Sequence, residues 1–165
     1  MDFQDNEQNT QELMNIFQVE SEEILDRIFE GLVSYEKKPN DKEVSATLYR
    51  DLHSLKGAVR MVGFSNLQMI AHKIEDIFDA VNKNNIKLDK EKVNLITKSL
   101  EILSRCLQQS IQNQREILSD DFNPIVSNLE YIADIELATN LDNPIDSMLL
   151  GNIEDTRSLE IATKG

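Results

Sequence analysis

The chain has 165 residues, 40% hydrophobic and 28% charged, which suits one soluble globular domain with a sizeable core. Its formal charge is −13, from 17 basic and 30 acidic side chains. Contact with the phosphates of a nucleic acid would therefore gain little from counterion release, and an anionic membrane surface would repel the chain. Cys106 is the only cysteine, so no intrachain disulfide is available, as suits a reducing compartment. The opening MDFQDNEQNT lacks the basic residues and apolar core of a secretory signal. No uncharged apolar run approaches the roughly 18 residues that a membrane span needs. A cytoplasmic location is expected.

Apolar residues recur at helical spacing almost throughout, and five Gly and three Pro leave few local reasons to break a helix. A first helix is expected from Asn9, where Glu12 stands at capping-box spacing. Its stripe runs Leu13, Ile16, Phe17, Ile24, Leu25, Ile28, Phe29 and Leu32, and EKKPND, with Pro39, ends it. The second helix carries Val44, Leu48, Leu52, Leu55, Val59 and Val62, and Gly63-Phe64 makes the turn. Ser65 opens the third, with Gln68 again at capping-box spacing; Leu67, Ile70, Ala71, Ile74, Ile77, Phe78 and Val81 face inward. NKNN forms the next loop. A fourth helix from about Asp89 lines up Val93, Ile96, Leu100, Leu103, Leu107 and Ile111. Cys106 within it reads as a small buried side chain. A shorter fifth helix, about Pro124 to Ala138, carries Ile125, Leu129 and Ile132.

Amphipathic helices joined by short loops close a shared core as an antiparallel bundle. The expected fold is all-α: an up-and-down four-helix bundle with an additional C-terminal fifth helix, over residues 1–138. Residues 139–165 read as an acidic linker or tail, with an apolar patch at Met148 to Leu150. From Asn140 onward five acids face only Arg157 and Lys164.

Charge is uneven along the chain. Residues 1–35 sum to −8, nine acids against Arg27, while residues 48–60 sum to +2, Arg50, Lys56 and Arg60 against Asp51. Most of the acids are expected to solvate exposed helix faces. The positive patch coincides with a polar face on the second helix. Tyr49, His53, Lys56 and Arg60 lie at i, i+4, i+7 and i+11, along one side. On the third helix Gln68, His72, Glu75 and Asp79 repeat the spacing.

In an antiparallel hairpin turning at Gly63, positions about equally far from the turn face each other. His53 then meets the region of His72 and Glu75. A neutral imidazole is a good phosphoryl acceptor near neutral pH. A carboxylate bonded to one ring nitrogen fixes the tautomer and raises the nucleophilicity of the other, a role Glu75 is placed to take. Lys56, one turn from His53, is placed to offset phosphoryl charge. Gly57, one turn after His53, costs helix stability. It serves either to open the imidazole to a bulky partner or to pack closely against a neighbouring helix. A metal site built from His53, His72 and Glu75 is the competing chemistry, and the flanking Lys56 opposes it.

LHSLKGAVRMVGFSNLQMIAHKIEDIF, residues 52–78, resembles the signature of histidine phosphotransfer domains, with its H-x-x-K-G core. HSLKG, the following GF turn and the AH-x-x-E segment are most similar to the N-terminal phosphoacceptor domain of CheA-type chemotaxis histidine kinases. The resemblance in helix order extends over about residues 10–138. It implies that His53 is phosphorylated, that Lys56 steadies the phosphoryl oxygens and that Gly57 gives partners access. It further implies that Glu75 bonds the non-attacking nitrogen and that His72 supports the site electrostatically. Ala58-Val59-Arg60 departs from the small-residue run common in that subgroup. Arg60 adds positive charge to the docking face, for which Tyr49, Gln68 and Asp79 are the other candidates.

The implied partners are a histidine kinase catalytic domain and the receiver domain of a response regulator, with the phosphotransfer unit monomeric. ATP and Mg²⁺ would belong to those partners, so the chain is expected to need no cofactor or metal of its own. It lacks a Gly-rich nucleotide loop and is not expected to be an enzyme by itself. Two versions stand: a free-standing carrier, and the front end of a larger kinase, which the pairing of His72 with Glu75 favours. A docking module that accepts no phosphate is the rival of a different class.

Overall fold

The computed structural model describes residues 3–141, and the last 24 residues, with the expected apolar patch at Met148 to Leu150, lie outside the described residues. Five helices follow one another: α1 Phe3–Lys37, α2 Lys42–Met61, α3 Ser65–Asn82, α4 Lys90–Asn113 and α5 Phe122–Leu141. Each of α1 to α4 packs on the next, and α1 also meets α4, which closes an up-and-down four-helix bundle. The fifth helix lies against α3 and α4. Among the described residues no helix is long and apolar enough to cross a membrane.

The stripes of α2 to α5 form the core much as their spacing predicts. Leu48, Leu52, Leu55 and Val59 meet Leu67, Ile70, Ala71, Ile74, Ile77 and Phe78, with Val93 through Ile111 and Ile125, Leu129 and Ile132 behind them. Val44, Val62, Val81 and Phe29 are half-buried at the rim. Cys106 is buried. Phe17 packs edge-on to Phe64 and Tyr35 edge-on to Phe78, pinning α1 to the start of α3 and to its C-terminal part. Gly31 lets α1 approach α2, since a Cβ there would lie 2.6 Å from Leu48 Cδ2.

The first helix departs from expectation at its start. It begins at Phe3 and runs through Asn9, so the Asn9–Glu12 capping box does not form. Nothing between Phe3 and Asn9 breaks a helix, and a cap has no work inside one. The buried stripe there is Met14, Phe17, Ser21 and Ile24; Leu13 and Ile16 are 43% and 65% exposed.

The breaks elsewhere have local causes. Asp41 caps α2 by accepting from the Glu43 and Val44 amides, and Asp89 caps α4 by accepting from Lys92 N at 2.9 Å. Gly63 adopts φ +80° and turns the chain into α3. The Ser65–Gln68 capping box is also absent: Phe64 holds the cap position and makes no side-chain cap bond. Glu116, in the loop after α4, does that work across space. Its carboxylate accepts from Leu67 N at 2.8 Å and from Asn66 Nδ2 at 3.1 Å.

Candidate functional site

The α2–α3 hairpin brings together the polar faces read from the sequence. His53 lies ten residues before Gly63 and Glu75 twelve after it. Their side chains meet, with Nδ1 of His53 2.7 Å from Oε1 of Glu75. Lys56 Nζ stands 2.6 Å from the other oxygen, Oε2. Among the described residues that oxygen has no further hydrogen-bond partner, so the ammonium is its counterpart.

Burial separates the three roles. The Glu75 side chain is 5% exposed, that of Lys56 21%, and that of His53 63%. A buried carboxylate thus holds an exposed imidazole. Burial by itself pushes the Glu75 carboxyl up, but hydrogen bonds from Lys56 and His53, with their charge, outweigh it and hold the carboxyl below its ordinary value. Glu75 is therefore ionised at neutral pH and can only accept hydrogen bonds. The Nδ1 of His53 must carry the proton it donates. In the neutral ring this leaves the lone pair on Nε2, which makes no hydrogen bond within the described residues. The group presents a nucleophilic nitrogen of fixed tautomer at the surface.

The neighbours sort themselves by helix direction. Side chains on a helix lean toward its N-terminus, so His53 leans back over Tyr49, and anything at position 57 would lean over His53. The Tyr49 and His53 rings stack, with centroids 6.3 Å apart and planes at 23°. Gly57 is exposed, and a Cβ there would meet nothing within 4 Å. Close helix packing therefore does not require this glycine, which leaves one edge of the imidazole open.

Other residues singled out from the sequence stand apart from this group. His72 is exposed, with Nε2 3.4 Å from Asp76 Oδ1 on its own helix; among the described residues no hydrogen bond or ion pair joins it to His53 or Glu75. Asp79 pairs with Lys83 at 2.6 Å. Arg60 is exposed and Gln68 half-buried. Among the described residues no group of three or more His, Cys, Asp and Glu is arranged to hold a metal ion. The sequence reading passed over Asp76, whose i+4 spacing from His72 was the available signal, and Glu116, which has no local signal at all.

The chain is similar to several known proteins. Chemotaxis protein CheA of Borreliella burgdorferi is 26% identical over 120 residues, covering 73% of this chain and 14% of that protein. CheA of Listeria monocytogenes is 25% identical over 135 residues, covering 80% of this chain and 21% of that protein. The chain thus spans about a fifth of the length of such relatives, or less. Among solved structures, the CheA phosphotransferase domain from Thermotoga maritima superposes with a TM-score of 0.59 at 28% identity, over 61% of this chain and 96% of that one. The phosphorylated P1 domain of CheA3 from R. sphaeroides, in complex with CheY6, gives 0.69 at 20% identity, over 75% and 98%, a likeness of fold. The family description "Hpt domain" matches residues 12–116, which hold His53, Lys56, Gly57 and Glu75. With that match over more than half its length, on a bundle of the same architecture, the chain belongs to the histidine phosphotransfer (Hpt) domain family.

Proposed function

We propose that His53 is the phosphoacceptor of this Hpt domain and that Nε2 is the nitrogen that carries the phosphoryl group. The observation that carries this reading is the 2.7 Å contact between His53 Nδ1 and the buried Glu75 carboxylate. It leaves Nε2 as the ring nitrogen with a lone pair.

In the proposed reaction Nε2 attacks the γ-phosphorus of ATP held by a histidine kinase catalytic domain. The new P–N bond forms as the bond to ADP breaks, and ADP leaves with the electron pair. The phosphorylated ring, still protonated on Nδ1, gains positive charge that Glu75 offsets at contact distance. Lys56 anchors Glu75 and keeps further N–H donors for a phosphoryl oxygen. The return step passes the group to an aspartate of a response-regulator receiver. The labile P–N bond favours that step, and the CheA3 P1 domain seen phosphorylated with the response regulator CheY6 supports such a partner.

On this reading the chain acts as the phosphoaccepting part of a CheA-type kinase in the cytoplasm. It works as a monomer and relies on its partners for ATP and Mg²⁺. Arg60, Gln68 and Asp79, on the two helices that carry the site, are candidate partner contacts, and His72 adds to the local field. The test is phosphorylation by a CheA-type catalytic domain with labelled ATP. Wild type and His72→Gln should take up acid-labile, base-stable label that His53→Gln does not. Equal labelling of His53→Gln would overturn the assignment.

A further inference from the structure

We infer that Tyr49 is a positioning residue for the phosphoacceptor, acting on the imidazole itself rather than as a partner contact; this rests on the reading of His53 above. Three observations converge on it. The two rings stack at 6.3 Å and 23°. Tyr49 is half-buried and packed against the core, whereas His53 is 63% exposed, so the packed ring supports the exposed one. Among the described residues His53 has one further side-chain partner, Glu75, at 2.7 Å.

A single hydrogen bond to Nδ1 leaves the imidazole free to swing about that contact. A ring stacked on one face removes that freedom and keeps the Nδ1–H aimed at Glu75. It also covers one face of the imidazole, while the absence of a side chain at Gly57 leaves the opposite edge open. The Tyr49 hydroxyl makes no hydrogen bond among the described residues, so the ring is the working part.

The experiment uses potassium phosphoramidate, a small donor that needs no docking surface. Nε2 forms a P–N bond to its phosphorus as the donor's own P–N bond breaks and ammonia leaves with the electron pair. Phosphorylation rates, with phosphoramidate and with the kinase domain, would be measured for wild type, Tyr49→Phe, Tyr49→Leu, Tyr49→Ala and His53→Gln, and ¹⁵N NMR tautomer ratios at His53 for the four proteins that keep it. Tyr49→Phe should match wild type. Tyr49→Leu and Tyr49→Ala should react roughly two- to tenfold more slowly, the factor a stacked ring pair is worth, with more proton on Nε2. The leucine variant keeps most of the buried volume and carries the test if the alanine variant is unfolded. Wild-type rates and tautomer ratios in Tyr49→Leu would overturn the inference. So would a defect confined to the kinase reaction, which would make Tyr49 a partner contact. Phosphorylation of His53→Gln at the wild-type rate would instead overturn the underlying phosphoacceptor reading.

Discussion

His53 and Glu75, on neighbouring antiparallel helices, share a 2.7 Å contact in which an exposed imidazole rests on a buried carboxylate. The contact depends on the register of the α2–α3 hairpin, which Gly63 sets through its φ of +80°. It also depends on Lys56, without which Glu75 would be a buried charge with little to offset its desolvation. Tautomer and charge at the candidate phosphoacceptor therefore trace to one carboxylate.

Replacing Glu75 with Gln keeps the shape and removes the charge. The amide no longer fixes the proton on Nδ1 or offsets charge on a phosphorylated ring. Phosphorylation of His53 should slow by about tenfold or more, the equivalent of one charge-assisted hydrogen bond. Comparing phosphoramidate rates of wild type and Glu75→Gln checks this.

The same carboxylate links stability to pH. Its pKa in the folded chain lies below its ordinary value of 4.5. A depressed carboxyl contributes stability that is present above its unfolded value and is lost as pH falls through the folded one. Urea denaturation should show wild type losing stability below about pH 4.5, and Glu75→Gln should lose less over the same interval.

Gly57→Ala separates folding from function. With nothing within 4 Å of the new Cβ, the helix should gain about 0.5–1 kcal/mol from the substitution. Gly57→Leu should block the kinase domain while leaving the phosphoramidate reaction less affected. Urea denaturation of the first and the ratio of the two rates in the second check these outcomes.

Glu116 and Ser65 give a paired test of how α3 is capped. Glu116→Ala removes the acceptor for Leu67 N and should cost about 1 kcal/mol, seen as a lower Tm. Ser65→Ala should change stability by less than about 0.5 kcal/mol, because its hydroxyl caps nothing.

The sequence made the bundle legible because α2 to α5 each carry one apolar face of helical period. It also placed Glu75 beside His53, since both lie at similar distances from a recognisable turn. At the start of α1 periodicity could not decide. Leu13 and Met14 stand four and three residues before Phe17, so both fit the stripe, and Ser21, polar yet buried, hid its line. The Ser65–Gln68 spacing misled because the cap comes from Glu116, some fifty residues along the chain. Helical spacing likewise placed Lys56 on the face of His53 without revealing that its ammonium is held by Glu75. Nor could spacing turn His72 toward its own helical neighbour Asp76.

The most direct test of the account is to identify the phosphorylated atom. The full chain would be phosphorylated by a CheA-type catalytic domain and ATP, digested and sequenced by mass spectrometry under alkaline conditions, with ³¹P and ¹⁵N NMR on the intact protein. The account predicts one phosphoryl group, on His53, bonded to Nε2, with the proton retained on Nδ1. Phosphate on His72, or on Nδ1 of His53, would contradict it.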